Sequence, residues 1–457
     1  MNNFISGKLT FGGGVHPPEN KVITENCKIE QGPSAKELVI PMSQHIGAIC
    51  KPKVAKGDTI KAGDAIGSSD AFVSAAIHSP VNGKVKDISL QSHPVLGRVT
   101  SVTIEVDSDN PQKYPSIEFK SGVNISAYSL EQICTAVKNA GIVGMGGAGF
   151  PTRVKIEPDP RFPKKTLIIN ACECEPYITC DYRIMLEWSE QIIAGAALAR
   201  KASGCSEVFI GVEDNKPQAA QALKDAIGKI KDAQDFKVVT LKTKYPQGGE
   251  RQLIKSIIGK DVPTGSIPPS IGIVVLNVAT CAAIAEAVVC GRPLTHRVVT
   301  VSGKAIARPG NYYVPIGTSV NELIEFCGGV NEKSAKVVFG GPMMGIALAD
   351  LSTPITKTAG AITVLTKEDI GRAKHAGRQT PCIRCGRCLD ACPENLVPTK
   401  IAHCVKAGRL DMADGFFISA CIECGSCSYV CPANIELAGH IKTGKIYLAR
   451  QKKQMPA

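Results

Sequence analysis

The chain is 457 residues long, with 44% hydrophobic and 21% charged residues. That length exceeds one ordinary core, and the composition excludes disorder over most of the chain. A formal charge of +12 suits an anionic partner, but no interleaving of Lys/Arg with the 12 Phe, nine Tyr and one Trp favours nucleic acid. The N-terminus lacks secretory character, so the 19 cysteines point to thiolate ligands in a reducing, cytosolic setting rather than to a disulfide framework.

The segment to about Asp109 reads as short β runs. Gly57-Asp58, Gly63-Asp64 and Asn82-Gly83 mark its turns. It resembles a lipoyl/biotinyl-type barrel-sandwich hybrid, but Ala71, in Ser69-Asp70-Ala71-Phe72, stands where such carriers place their modified lysine. A docking or spacer module is the expectation. From Ser129 helices alternate with apolar strands. Helices are expected at Leu130–Ala140, Glu190–Ala202 and Pro217–Lys231, with strands at Thr166–Ile169, Glu207–Val212, Lys237–Leu241 and Ile271–Leu276. This alternation predicts an α/β layer with a largely parallel sheet. The apolar run Ile271–Cys290 contains Asn277 and Glu286 and is closed by Gly291-Arg292-Pro293, so it reads as a buried strand entering a helix, not a membrane span. His296–Gly329, with a short helix near Val320–Cys327, suggests a β-grasp unit.

Cys382-x-x-Cys385-x-x-Cys388-x-x-x-Cys392-Pro393 recurs 39 residues later as Cys421-x-x-Cys424-x-x-Cys427-x-x-x-Cys431-Pro432. Three closely spaced thiolates wrap three corners of a cubane, and the fourth cysteine of each run reaches the other cluster. Cys382, Cys385, Cys388 and Cys431 are therefore assigned to one [4Fe–4S] cluster, and Cys421, Cys424, Cys427 and Cys392 to a second. Paired zinc sites can show similar gaps, but zinc does not require a doubled, proline-terminated run with crossed ligands. Such clusters exchange single electrons.

Gly144-Met-Gly146-Gly147-Ala-Gly149-Phe150-Pro151 satisfies G-x-G-x-x-G, with Lys155 following. A dinucleotide fingerprint needs a preceding strand, whereas here a helix precedes. The glycines can still bring backbone N–H groups against a flat ring or a phosphate, and Lys155 can neutralise the latter. Asn170-Ala-Cys172-Glu173-Cys174-Glu175-Pro176 follows a buried strand, where α/β proteins place their ligand groups. Cys172, Cys174 and Cys180 read as packing beside this site rather than as a metal set.

These two stretches, with Tyr245-Pro-Gln-Gly248-Gly249-Glu250 and Asn277-Val-Ala-Thr280, resemble the FMN- and NADH-binding subunit of respiratory complex I. The order of modules resembles more narrowly the C subunits of the Rnf (Rsx) ion-translocating electron-transport complexes, a likeness that extends to Gly14-Val-His16-Pro17-Pro18 and Gly340–Gly345. The resemblance implies a multidomain α/β plus β chain. Its units would be a barrel-sandwich hybrid (1–120), an α/β FMN/NADH domain (121–294), a β-grasp domain with connector (295–365), a two-cluster ferredoxin-like domain (366–445) and a basic tail (446–457). FMN would lie against Gly144, Gly146, Gly147, Lys155, Asn170, Glu173, Tyr245, Gly248, Gly249, Asn277 and Thr280. Phe150, Glu175 and Glu250 would meet NAD(H). Met145 and Cys172 depart from the complex I pattern, which has arginine and aspartate there. The implied function is electron exchange between NAD(H) and a ferredoxin-side iron–sulfur partner. The chain would be a peripheral subunit on the cytoplasmic face of the inner membrane, beside integral membrane and iron–sulfur subunits. The alternatives are a diaphorase subunit of a soluble hydrogenase or formate dehydrogenase, and a non-catalytic iron–sulfur scaffold.

Overall fold

A computed structural model of the protein describes residues 9–108, 122–370 and 379–454. The N-terminal sandwich stacks a four-stranded sheet on a three-stranded one. The first comprises Glu37–Pro41, Gly97–Val106, Gly83–His93 and Thr59–Ile60, and the second Lys51–Pro52, Ala65–Ser68 and Ile77–His78. Alternate residues of these strands (Leu38, Ile40, Ile66, Ile77, Val102, Ile104) are fully buried between the sheets, as a period of two demands.

In the α/β domain four strands pair in parallel in the spatial order Lys237–Leu241, Glu207–Glu213, Thr166–Ala171, Ile273–Asn277. The runs Leu167-Ile168-Ile169 and Ile273-Val-Val-Leu276 are buried on both faces, which accounts for their unbroken apolar character. Ser189–Ser203 and Val278–Cys290 cover one face. Leu253, Ile254 and Ile257 of helix Glu250–Ile258 cover the other. The chain enters at Thr166–Ala171, builds outward through two strands on one side, then crosses to add Ile273–Asn277 on the other. Strand order therefore reverses between Thr166–Ala171 and Ile273–Asn277, and the crevice beyond their carboxyl ends is where open α/β sheets take ligands. The run Ile271–Cys290 resolves into that strand and helix. Among the described residues no helix is long and apolar enough to cross a membrane.

Three boundaries differ from the sequence-based division. Residues within 1–120 leave the sandwich: Ile29–Gln31 pairs in parallel with Gly310–Pro315 at the edge of the β-grasp sheet. Ala361–Thr366, which the boundary between 365 and 366 would cut, lies between His296–Ser302 and Ser334–Phe339 in that sheet, because its fully buried AITVLT run supplies the apolar strand the sheet needs. The basic tail is no separate piece, since helix Leu437–Gln454 runs through it. Leu437, Ile441 and Leu448 recur on one helical face; Ile441 and Leu448 pack with Ile401, Ala413 and Ile418, and Leu437 with Ala402 and Ile435.

Candidate functional site

Asn170 and Asn277 are register partners at the carboxyl ends of the two strands flanking the switch point. Asn277 caps the following helix, its Oδ1 accepting from the N–H groups of Ala279 (2.9 Å) and Thr280 (3.4 Å). Asn170 Nδ2 donates to Gly248 O (2.8 Å), fixing the second glycine loop to the strand end. The first loop closes by Gly144 N–H to Phe150 O (2.9 Å), and Met145 N–H donates to Thr280 Oγ1 (2.9 Å). Gly146 and Gly147 are exposed on its crest. A Cβ on Gly146 would fall 2.6 Å from Asn277 Nδ2, so only glycine lets the loop lie this close to the strand end. Lys155, on the short helix Thr152–Ile156, donates to Glu250 Oε1 (2.9 Å) and Val275 O (3.2 Å). Thus Gly144, Gly146, Lys155, Asn170, Gly248, Gly249, Glu250, Asn277 and Thr280 converge on one crevice.

Beneath it lies a buried acidic pair. Glu173 Oε1 accepts from Asp181 N–H (2.7 Å), and Asp181 Oδ2 accepts from Asn277 Nδ2 (2.6 Å). Glu173 Oε2 is buried without a hydrogen-bond partner, 3.9 Å from Lys21 Nζ. Cys180 Sγ lies within 4.8 Å of both carboxylates. Burial raises the Glu173 carboxyl to about 7, opposed by Lys21, and burial also raises Asp181, opposed by the Asn277 bond. Folded Glu173 therefore keeps a proton that the unfolded chain releases near the ordinary glutamate value. The stabilisation is complete below about pH 4.5 and is lost as pH climbs to about 7. Glu173→Gln, which cannot titrate, is expected to lose less melting temperature than the native apo chain between pH 5 and pH 8. Parallel curves across that range would contradict this assignment.

Several positioning residues carry no local sequence signal. Lys21 Nζ donates to Glu175 O (2.9 Å) and Ile178 O (2.5 Å). Arg297, buried, donates to Lys357 O (2.5 Å) and Met145 O (3.4 Å), holding the first glycine loop from behind. Lys357 Nζ, fully buried, donates to Ala76 O (2.7 Å) and Gly141 O (2.6 Å), tying the sandwich to the α/β domain. Each is an isolated basic residue whose partners lie far away in sequence, so no spacing marks it.

Of the residues expected to meet a nucleotide, Phe150 is half-buried and the Glu250 side chain is 40% exposed at the mouth. Glu175 turns elsewhere. Its Oε1 accepts from the Met343 (2.6 Å) and Met344 (3.1 Å) N–H groups, and burial raises its pKa against those bonds. It binds the Gly340–Gly345 loop instead of opening to the mouth. Cys172 Sγ donates to Gly211 O (3.2 Å), and Gly248 N–H donates to Cys174 Sγ (3.3 Å).

Thiols of the two runs lie near one another, Cys431 beside Cys388 and Cys392 beside Cys427. Cys388 is raised by burial and then by Cys431, Cys385 and Cys382. Burial, followed by the thiols of Cys424, Cys421 and Cys392, raises Cys427 to about 12. Burial also raises Cys392, Cys421 and Cys424, and neighbouring buried thiols of this kind suit cationic iron, which would favour the thiolate. The Cys421 set is seated on the second glycine loop and the Gly14-Val15 segment. Tyr245 OH donates to Cys424 O (2.7 Å), Gly14 N–H donates to Ala391 O (3.0 Å), and Val15 pairs with Tyr245. Helix Glu250–Ile258 adds Gln252 Nε2 to Glu394 Oε1 (2.6 Å). In the Cys382 set Cys385 is exposed, Cys382 and Cys431 are half-buried and Cys388 is buried.

A glycine-lined crevice at an α/β switch point, joined to a doubled cysteine module through Tyr245, Gly14 and Gln252, fits a flavin- and iron–sulfur-dependent electron-transfer protein. The family description "Nuo51 FMN-binding domain" matches residues 137–286, and "RnfC Barrel sandwich hybrid domain" matches 9–109. "SLBB domain" matches 298–347 and "4Fe-4S dicluster domain" 381–435. The chain is 44% identical to the C subunit of the proton-translocating ferredoxin:NAD(+) oxidoreductase complex of Clostridium ljungdahlii, covering 86% of this chain and 84% of that one. It is 42% identical to the Na(+)-translocating counterpart of Acetobacterium woodii (86% and 87%). To the C subunit of the ion-translocating oxidoreductase complex of Rhodobacter capsulatus it is 38% identical (89% and 76%). The chain belongs to the family of C subunits of the ion-translocating ferredoxin:NAD(+) oxidoreductase (Rnf) complexes. Its cofactors are FMN and two [4Fe–4S] clusters. A chain of an NAD+-reducing [NiFe]-hydrogenase shares the fold, with TM-score 0.52 and 24% identity over 71% of this chain and 62% of that one.

Proposed function

We propose that this subunit exchanges electrons between NAD(H) and the ferredoxin side of an ion-translocating complex, held at the cytoplasmic face of the membrane by integral membrane and iron–sulfur subunits. The observation that carries this reading is the Tyr245–Cys424 hydrogen bond of 2.7 Å, which couples a flavin-cradling loop to a cluster-bearing one. Bound FMN and the clusters supply the conversion between two-electron hydride chemistry and single electrons. The chain's own residues bind and orient. Gly144, Gly146 and Gly147 present backbone to the ring or phosphate, Lys155 meets the phosphate, and Asn170, Glu173, Tyr245, Gly248, Gly249, Asn277 and Thr280 shape the cradle. Phe150 and Glu250 stand at the mouth where the nicotinamide nucleotide would be held. Glu175 fixes the Gly340–Gly345 loop beside the Cys421 set. Since bound FMN would supply the hydride chemistry, the chain itself would need no acid–base residue. What the cradle must provide is alignment and exclusion of water. Anaerobic titration of the reconstituted chain with NADH is expected to bleach flavin and iron–sulfur absorbance together. Persistence of both bands would refute the reading.

A further inference from the structure

The duplicated cluster motif permits an internal comparison, because two copies of one loop sit in different surroundings. At the offset of 39 residues Ile383, Arg384, Cys385, Gly386 and Arg387 correspond to Ile422, Glu423, Cys424, Gly425 and Ser426. The backbones match: Arg384 and Glu423 have φ of 55° and 58°, and Gly386 and Gly425 both have 79°. Arg384 N–H and Glu423 N–H each donate to the preceding cysteine Sγ at 3.4 Å.

The second copy is a docked face. Ile422 packs with Val15 and Tyr245, Cys424 O accepts from Tyr245 OH, and a Cβ on Gly425 would lie 2.6 Å from Met343 O. Among the described residues the first copy meets nothing comparable. Ile383 is 67% exposed, Cys385 is exposed, and a Cβ on Gly386 would find no atom within 4 Å. The charge is reversed as well. Glu423 pairs with Lys445 (2.6 Å), whereas Arg384 and Arg387 are exposed and, among the described residues, have no ion-pair partner. Asp390 is the one acid on the adjoining turn Arg387–Asp390.

We infer that the Ile383–Arg387 face is the docking site of an acidic iron–sulfur protein, seated on the first cluster loop as the flavin domain is seated on the second. This rests on the proposed electron-exchange function, which requires a carrier to approach the first cluster. Ile383 would supply the apolar contact that Ile422 makes in the other copy, and the two unpaired guanidiniums would select and steer an anionic surface.

The double substitution Arg384→Glu/Arg387→Ser grafts the second copy's own residues onto the first, at matching φ, so the loop is expected to fold. It would be expressed in place of the native chain in cells making the rest of the complex. The NaCl concentration that strips the chain from washed membranes is expected to fall by roughly half, and NADH-driven ferredoxin reduction by about tenfold or more. The isolated variant should bleach with NADH as the native chain does. Lys333→Glu/Lys336→Ser, an equal charge change on the exposed β-grasp surface, should alter neither readout. Native stripping and transfer in the graft, or equal losses in the control, would overturn the inference. So would arginine-dependent binding of the isolated chain to phosphatidylglycerol vesicles with transfer in the graft unchanged, since the face would then meet lipid. Failure of the isolated native chain to bleach would count against the electron-exchange reading alone, because salt stripping reports docking independently.

Discussion

Cys424→Ala is expected to cut iron content by about half and NADH-driven electron delivery to the rest of the complex by about a hundredfold or more. NADH oxidation by an artificial acceptor taking electrons at the flavin should stay within about twofold of native. The asymmetry follows from where the thiols lie. Cys424 is buried against Tyr245 and Val15, and its carbonyl receives the tyrosine hydroxyl, so its set is the only one that the flavin loops touch among the described residues. Cys385 is exposed and is not in the apolar cluster that Cys424 forms with Tyr245 and Val15. Cys385→Ala should therefore leave NADH-dependent reduction of the remaining cluster intact, as read by electron paramagnetic resonance, while delivery to partners is lost. The reverse pattern, with Cys385→Ala abolishing that reduction and Cys424→Ala sparing it, would show that the two sets are wired in the opposite order.

Legibility in the sequence tracks the distance over which information is local. The eight cluster cysteines are assignable because each triplet lies within seven residues of chain and the duplication repeats it. The parallel strands are visible because burial on both faces leaves unbroken apolar runs such as Leu167–Ile169. Strand Ile29–Gln31 is not visible. Its sequence, Ile-Glu-Gln, has no alternation, and it is a strand only because Gly310–Pro315 offers an edge nearly 300 residues away (Ile29 pairs with Asn311). Lys21, Arg297 and Lys357 are invisible for the same reason, since their roles consist of carbonyls that tertiary folding brings to them. Glu175 is placed at the site by its motif, but the direction of its carboxylate depends on the Met343 and Met344 amides, which spacing does not report.

The second large effect is expected at Gly248. Its N–H donates to Cys174 Sγ, its carbonyl accepts from Asn170 Nδ2, and an added Cβ would lie 2.4 Å from Cys172 O. The obstacle is backbone at the end of a buried strand, so relief requires moving either the glycine loop or the strand terminus, and both carry cradle residues. Gly248→Ala is expected to destabilise the domain by about 1–3 kcal/mol, the usual range for overpacking, and to leave less than about a tenth of the native FMN after gel filtration. Gly147 provides the complementary case. A Cβ there meets no atom of the chain within 4 Å, so Gly147→Ala should keep the native melting temperature of the apo chain. If the flavin rests on the exposed crest of this loop, the added methyl will nevertheless weaken FMN retention, because the only atoms left for it to strike are those of the bound flavin. Full FMN in Gly147→Ala would move the ring off the first glycine loop and leave the second, through Gly248 and Asn170, as its principal support.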